Sequence, residues 1–189
     1  MGSIPTCPRQ KNQNKTIEES GPKDCPPICI AKQKEGFKMK NIKIRDFTPT
    51  DRVNYLRQSK EFYSTDAVIH GVPEENFTRT FDKCIEQSPY LRGLAIMLDD
   101  EFAGYGLLSF TWSNEVGGLV VLLEEAYISP QYQGHGLGSE LLSFVEEEYH
   151  DVAKRLRLEV TSINQGAVKL YTKKGYHKID YLQMIKELS

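Results

Sequence analysis

Ile42 and Ile44 alternate with polar residues over residues 41–47, the period-two pattern of a half-buried strand. Thr48-Pro49-Thr50-Asp51 then supplies turn and helix-start residues, and Val53, Leu56 and Phe62 follow at helical spacing. Pro73, Glu74 and Glu75 open a second helix. Proline lacks an amide that the first turn leaves unpaired anyway, and acids favour the positive end of the helix dipole. Phe77, Phe81, Cys84 and Ile85 give this helix an apolar stripe, where a cysteine reads as a small buried hydrophobe.

Residues 94–98 and 102–112 are strand-like runs joined by the hairpin turn Asp99-Asp100-Glu101. Residues 114–118 turn the chain into an apolar run over 119–128 that only Glu124 and Glu125 interrupt. Ser129-Pro130 ends the run, and Gly134, Gly136 and Gly138 lead into a helix with Leu137, Leu141, Leu142, Val145 and Tyr149 on one face. Glu146, Glu147 and Glu148 read as its solvated side. Residues 156–160 suit a further strand, and Asn164 caps a helix that carries Ala167, Val168, Leu170 and Tyr171 and stops at Lys173-Lys174-Gly175. Residues 176–181 and 184–188 read as closing strands. The order β-α-α-β-β-β-α-β-α-β-β predicts an α/β domain on a mixed central β-sheet flanked by helices.

Residues 1–38 show no apolar periodicity and contain Pro5, Pro8, Pro22, Pro26 and Pro27 among Lys, Gln and Asn, so they read as a flexible extension before a domain over 39–189. Residues 1–40 hold 8 Lys and Arg against 4 Asp and Glu, and the remainder holds 16 against 22. A mildly acidic body argues against a nucleic-acid surface and suits a small cationic or amine partner. No apolar run reaches the ~18 residues of a membrane span, and the first residues lack a secretory signal, which points to the cytoplasm. Cys7, Cys25, Cys29 and Cys84 form no Cys-x-x-Cys pair and lie near no histidine cluster, so free thiols and no metal site are expected.

A strand that ends in a proline turn, crosses closely spaced glycines and opens a helix offers an anion a row of free amides. Two phosphate motifs are excluded here. Gly134-x-Gly136-x-Gly138 is not Gly-x-Gly-x-x-Gly, and no Gly-Lys-Ser/Thr follows it. The buried-strand carboxylates are informative, because burying a carboxylate is unfavourable without a partner or a cleft. Side chains alternate along a strand, so one glutamate faces a given side unless a bulge intervenes.

Ile128-Ser129-Pro130-Gln131-Tyr132-Gln133-Gly134-His135-Gly136-Leu137-Gly138, together with Asn164-Gln165-Gly166-Ala167-Val168-Lys169-Leu170-Tyr171-Thr172-Lys173-Lys174-Gly175-Tyr176, resembles the acyl-CoA-binding core of the GCN5-related N-acetyltransferase (GNAT) superfamily. The resemblance implies the GNAT fold over roughly residues 41–188, acetyl-CoA as cosubstrate and a primary amine as acceptor. It implies that Gln133, Gly134, Gly136, Leu137, Gly138 and Ser139 hold the CoA pyrophosphate. Ala126, Tyr127 and Ile128 would pair with the pantetheine arm, and an N–H there, that of Ile128, would stabilise the oxyanion. Asn164 would hold the cofactor arm and Tyr171 would protonate the departing thiolate.

For the base, several family members carry an acid corresponding to Glu124, which is therefore chosen, acting directly or through water; Glu125 stays open as the alternative base or as a member of a structural ion pair. Residues 62–70, with Glu74 and Glu75, lie where this family builds its acceptor pocket. His135 reads as a solvent-facing loop residue, and His70, His150 and His177 have no partners at ligand spacing. The acceptor stays open among polyamine, aminoglycoside, protein N-terminus and lysine side chain. Family members often pair as homodimers. A non-catalytic acyl-CoA sensor is the alternative function.

Overall fold

Five strands stand in chain order in a single sheet, and the first four are antiparallel neighbours. This computed structural model describes residues 41–65 and 72–188. The strands are β1 (Ile42–Asp46), β2 (Leu91–Leu98), β3 (Glu101–Ser113), β4 (Gly118–Ile128) and β5 (Ala153–Leu158). Helices α1 (Arg52–Tyr63) and α2 (Glu74–Ile85) separate β1 from β2. Helix α3 (Leu137–Tyr149) makes the crossover to β5, which runs parallel to β4, and α4 (Gln165–Lys173) follows. The expected extension over 1–38 lies outside the described residues.

The sheet separates two cores of different character. On the α3 side Leu94, Ile96, Leu108, Val121, Leu141 and Val145 form an aliphatic cluster against which α4 packs through Leu170 and Tyr171. On the α1–α2 side Phe47, Tyr55, Phe77, Phe81, Tyr105 and Tyr127 form an aromatic one. Phe47, Tyr55 and Phe81 pack mutually with ring centroids 5.1–5.6 Å apart, the spacing of favourable aromatic pairs. Burial of such side chains contributes about 1.5–3 kcal/mol each, so both cores outweigh any single polar contact described below.

Polar contacts fix how the layers meet. Arg92 on β2 donates to Asp46 Oδ1 at 2.6 Å, to Glu148 Oε1 at 3.0 Å and to the Tyr149 hydroxyl at 2.9 Å, joining β1, β2 and the end of α3. Glu148 is thus a partner of a half-buried arginine rather than a solvated residue. Arg45 grips Asp51 at 2.6 and 2.9 Å, and the Asp51 carboxylate also accepts from the Thr48 amide at 2.7 Å, closing the turn that starts α1. Cys84 is a free thiol on the inner stripe of α2, and burial, with Asp46 and Glu125 nearby, pushes it up to about 12.

The first nine expected elements form in the expected order. The two closing strands do not, since residues 176–188 enter no ladder. Tyr181, Leu182, Met184, Ile185 and Leu188 are 71–88% exposed. An apolar pattern describes how a segment would look once paired; without a neighbouring strand to share its amides it does not make one. The fifth strand also sits earlier than residues 156–160, because its pairing with β4 begins at Ala153.

Candidate functional site

β4 pairs with β5 only from Leu119 to Leu123, and past Leu158 the two strands part. The rest of β4 therefore carries one edge that no strand among the described residues covers. Direction along that edge follows from one hydrogen bond. The Ser129 amide donates to the Ala103 carbonyl on β3 at 3.0 Å. Amides alternate sides along a strand, so those of Ala126 and Ile128 point the other way, into the gap. The Ile128 carbonyl points there too, where it accepts from Gln133 Nε2 at 3.0 Å.

This gap is a cleft of about 520 Å³. Ala126, Tyr127 and Ile128 line it from β4, as do Gln133, Gly134, Gly136, Leu137, Gly138 and Ser139 from the loop and the first turn of α3, and Asn164 and Tyr171 from α4. Every residue expected to touch the cosubstrate therefore borders one space. Phe62 and Thr65 border its far end.

The loop geometry explains the glycines. Gly134 and Gly136 have φ of 76° and 83°, and a Cβ added at either would meet nothing within 4 Å. Conformation, together with open space over the backbone, selects glycine there. Gly136 occupies the N-cap of α3 and no side chain caps that helix, so its first-turn amides are left to whatever lies in the cleft. A Cβ on Gly138 would come within 3.2 Å of Leu170 Cδ2, so this glycine lets α3 close on α4. The space is open and bordered by backbone amides. His135 is tied down instead, its Nδ1 lying 3.0 Å from the Tyr132 carbonyl.

Asn164 caps α4, its Oδ1 accepting from the Ala167 amide at 3.1 Å. The helix ends as expected, with Gly175 at φ 89° and the Tyr176 amide donating to the Tyr171 carbonyl at 3.0 Å. Burial raises the Tyr171 hydroxyl above the ordinary tyrosine value, so it stays protonated and able to donate at neutral pH.

On the other face the two glutamates are distinguished by a bulge. Leu107 of β3 faces Glu125 and Leu108 faces Leu123, which leaves Glu124 without a partner of its own. Leu123 and Ala126 pack on the α3 side. Glu125 turns to the α1–α2 side, accepting from the Tyr63 hydroxyl at 2.8 Å and the Tyr105 hydroxyl at 2.7 Å. Glu124 accepts from Ser109 Oγ at 2.6 Å. Ser109 also faces the α1–α2 side, because Leu108 and Phe110 on either side of it pack on the α3 core. The bulge thus sends both carboxylates to one face.

Glu124 is exposed and Glu125 is partly buried. Burial raises the Glu125 carboxyl above the ordinary range, the two tyrosine hydroxyls pull it down, and the Glu124 charge raises it again; the net direction is upward. Among the described residues Glu125 has no ion-pair partner, and two phenols serve instead. Nearby, Tyr127 donates to Glu61 Oε2 at 3.0 Å, and Glu61 pairs with Arg57 at 2.7 Å. Tyr105 and Glu61 carry no local sequence signal for this neighbourhood, since only the folded sheet brings them to β4. Residues 66–70 of the expected acceptor segment lie outside the described residues. His150 sits beside Asp151 and His177 is exposed, both away from the cleft.

The chain is similar to known acetyltransferases in sequence and in fold. The thialysine N-epsilon-acetyltransferase of Bos taurus is 38% identical over 73 residues, which is 38% of this chain and 42% of that protein. The matched portion thus spans less than half of this curated relative. Among solved structures, the aminoglycoside N-acetyltransferase AAC(6')-Iy in complex with CoA superposes with a TM-score of 0.65 at 16% identity, covering 78% of this chain and 95% of that one. The ribosomal-protein-alanine N-acetyltransferase of Brucella melitensis biovar Abortus 2308 gives 0.63 at 13% identity, covering 78% and 99%. At these identities the structures share the fold. The acetyltransferase (GNAT) family matches residues 54–176, the stretch that holds most of α1, the sheet from β2 onward, the glycine loop and α4, and the chain belongs to that family.

Proposed function

We propose that the protein is an acetyl-CoA-dependent N-acetyltransferase that moves the acetyl group directly to a primary amine of a small molecule or peptide. The observation that carries this reading is the conjunction along one cleft of an uncovered β4 edge, an uncapped glycine-led helix start and the Tyr171 hydroxyl. Acetyl-CoA supplies the thioester. Amides of the Gln133 to Ser139 loop hold its pyrophosphate, and the free edge at Ala126, Tyr127 and Ile128 holds the pantetheine arm. The Ile128 N–H donates to the thioester oxygen as negative charge develops there.

Proton movements complete the reaction. The acceptor arrives as an ammonium ion, and Glu124, the exposed carboxylate on the face toward α1, takes a proton from it directly or through water. The neutral nitrogen forms a bond to the acetyl carbon, the carbon–sulfur bond breaks as Tyr171 gives its proton to the leaving thiolate, and the second proton that the nitrogen sheds on becoming an amide returns to the Tyr171 phenolate. Asn164 fixes the start of α4 and so the position of Tyr171.

No helix among the described residues is long and apolar enough to cross a membrane. The same reading places the enzyme in the cytoplasm, acting on an amine rather than on nucleic acid.

The test is binding followed by turnover. Acetyl-CoA is expected to raise the melting temperature of dialysed protein, and free thiol is expected to appear when a panel of polyamines, aminoglycosides, thialysine and peptide N-termini is added. No thermal shift would sink the CoA assignment. A shift with no thiol release across the panel would leave a CoA-binding sensor.

A further inference from the structure

Members of both hydrophobic cores border the cleft, so it passes through the sheet where β4 and β5 part. Leu123, Ala126 and Leu141 pack on the α3 side, whereas Phe62 and Tyr127 pack with the aromatic core on the α1–α2 side. The glycine loop and the first turn of α3 lie at one mouth, and the end of α1, with Phe62 and Thr65, lies at the other. Two ligands can therefore meet inside it from opposite faces.

The α1 mouth is aromatic and its rings are set in place. Phe62 is partly buried, and its ring meets the Tyr127 ring at 6.1 Å and 63° and the Tyr63 ring at 5.2 Å and 86°. Edge-to-face pairs of this kind hold a ring without covering all of its surface. Tyr63 is packed in turn on Phe77 of α2 at 5.1 Å. Both hydroxyls at this mouth are engaged. Tyr127 donates to Glu61 Oε2 at 3.0 Å, and Thr65 Oγ1 donates to the Phe62 carbonyl at 2.7 Å. A hydroxyl has one proton to give, so neither has one left for an oxygen on an incoming molecule.

We propose that Phe62 and Tyr127 set the acceptor specificity, and that the acceptor is a primary amine at the end of an unbranched alkyl stem, as in an alkyl diamine or a lysine side chain. This deepens the N-acetyltransferase reading and rests on it. The rings attract an ammonium ion through their π faces and bury the methylenes behind it. A sugar amine or a peptide N-terminus carries oxygen close to the nitrogen. Such an oxygen would leave water for a wall that gives it no donor, which disfavours that acceptor.

The test measures thiol release from acetyl-CoA by the wild-type chain with ethylamine, propylamine, butylamine and pentylamine. These amines are of nearly equal basicity, so the series isolates the stem. kcat/KM is expected to rise about threefold to fourfold with each methylene, and neamine and alanine amide are expected to fall about 10-fold or more below butylamine. A flat alkyl series overturns the proposal, as does neamine or alanine amide as the best substrate. Cadaverine and a peptide with a blocked N-terminus and one internal lysine separate the two sources of the stem. Turnover of either supports the proposal, and turnover of neither overturns it.

Phe62→Ala is expected to lower kcat/KM about 10-fold for pentylamine and about twofold or less for ethylamine, with acetyl-CoA affinity unchanged by calorimetry. Phe62→Leu, which keeps an apolar wall, is expected to restore most of the slope. A ring that only braced α1 would lower all four amines by one factor, and that result overturns the role of Phe62. The wild-type series needs no variant, so it decides the matter even if Phe62→Ala does not fold. No thermal shift with acetyl-CoA, or no thiol release with any amine, would sink the N-acetyltransferase reading itself, whereas thiol release with a flat series sinks the stem alone.

Discussion

The cleft proposed for the cosubstrate and the carboxylate face proposed for the acceptor are built by different means. The cleft is made of backbone. Its amides come from the uncovered strand edge and the first turn of α3, its curvature comes from Gly134 and Gly136, and side chains such as Gln133 and Asn164 brace loops and helix ends. The acceptor face is made of side chains. Glu124, Glu125, Tyr63, Tyr105, Tyr127 and Glu61 meet there from three separate elements. A backbone site suits a ligand common to a whole family, because its geometry survives most substitutions. A side-chain site suits a partner particular to one protein, because each position can vary alone.

Tyr171 is where the contrast can be broken most sharply, since it is a side chain inside the backbone-built half. Tyr171→Phe removes one hydroxyl and leaves a ring of the same size against Tyr176 and the α3 core. The expected result is a fall in kcat of about 100-fold with the acetyl-CoA dissociation constant unchanged, the signature of a proton donor that acts in the transition state. Stopped-assay thiol release and calorimetric titration of CoA measure the two quantities. If affinity falls and kcat does not, Tyr171 is part of the cradle and the chemistry lies elsewhere.

The same contrast accounts for how much could be read before the fold was known. The strand, loop and helix from Leu119 to Tyr149 are local in sequence, and glycine spacing, the Pro130 turn and the Asn164 cap each express a backbone need at that very position. Those features were legible. The destination of Glu124 and Glu125 was not, because it depends on a single unpaired residue in the β3–β4 ladder, and a bulge follows from how two strands settle against each other. Tyr105 gave no signal as a partner of Glu125 for the same reason: it is 20 residues away in sequence and joins it only across the sheet. Residues 176–188 fail in the opposite sense, where an apolar pattern promised strands that found no ladder to join.

A backbone-built cleft should respond to conformation rather than to volume, and Gly136 tests this. Its φ of 83° is forbidding to a β-branched residue, although space around it is open. Gly136→Val is expected to cost about 1–2 kcal/mol at that position. The loop relieves it by drawing the α3 amides away from the pyrophosphate, so acetyl-CoA affinity should fall about 10-fold while kcat at saturating acetyl-CoA holds within a factor of two or so. An affinity equal to wild type would mean that the first turn of α3 is not the anion site.

The smallest effect should come from the acceptor half's scaffold, and it should leave the cleft untouched. Asp51 is 4% exposed at the start of α1. Burial alone would raise its carboxyl, but the Arg45 guanidinium and the Thr48 amide and hydroxyl outweigh burial, so the folded value lies below the ordinary one. A carboxyl depressed by folding stabilises fully above the unfolded value near 4, and the contribution disappears as pH falls through the folded value. Asp51→Asn is therefore expected to be less stable than wild type by about 1 kcal/mol at pH 7, with the two unfolding curves converging as pH falls through the folded value. Acetyl-CoA affinity should be the same in both, because the Arg45–Asp51 pair ties β1 to α1 and shares no residue with the cleft. A parallel loss of affinity would show that the two halves are coupled through β4, and the division between a backbone-built and a side-chain-built site would then describe their chemistry but not their energetics.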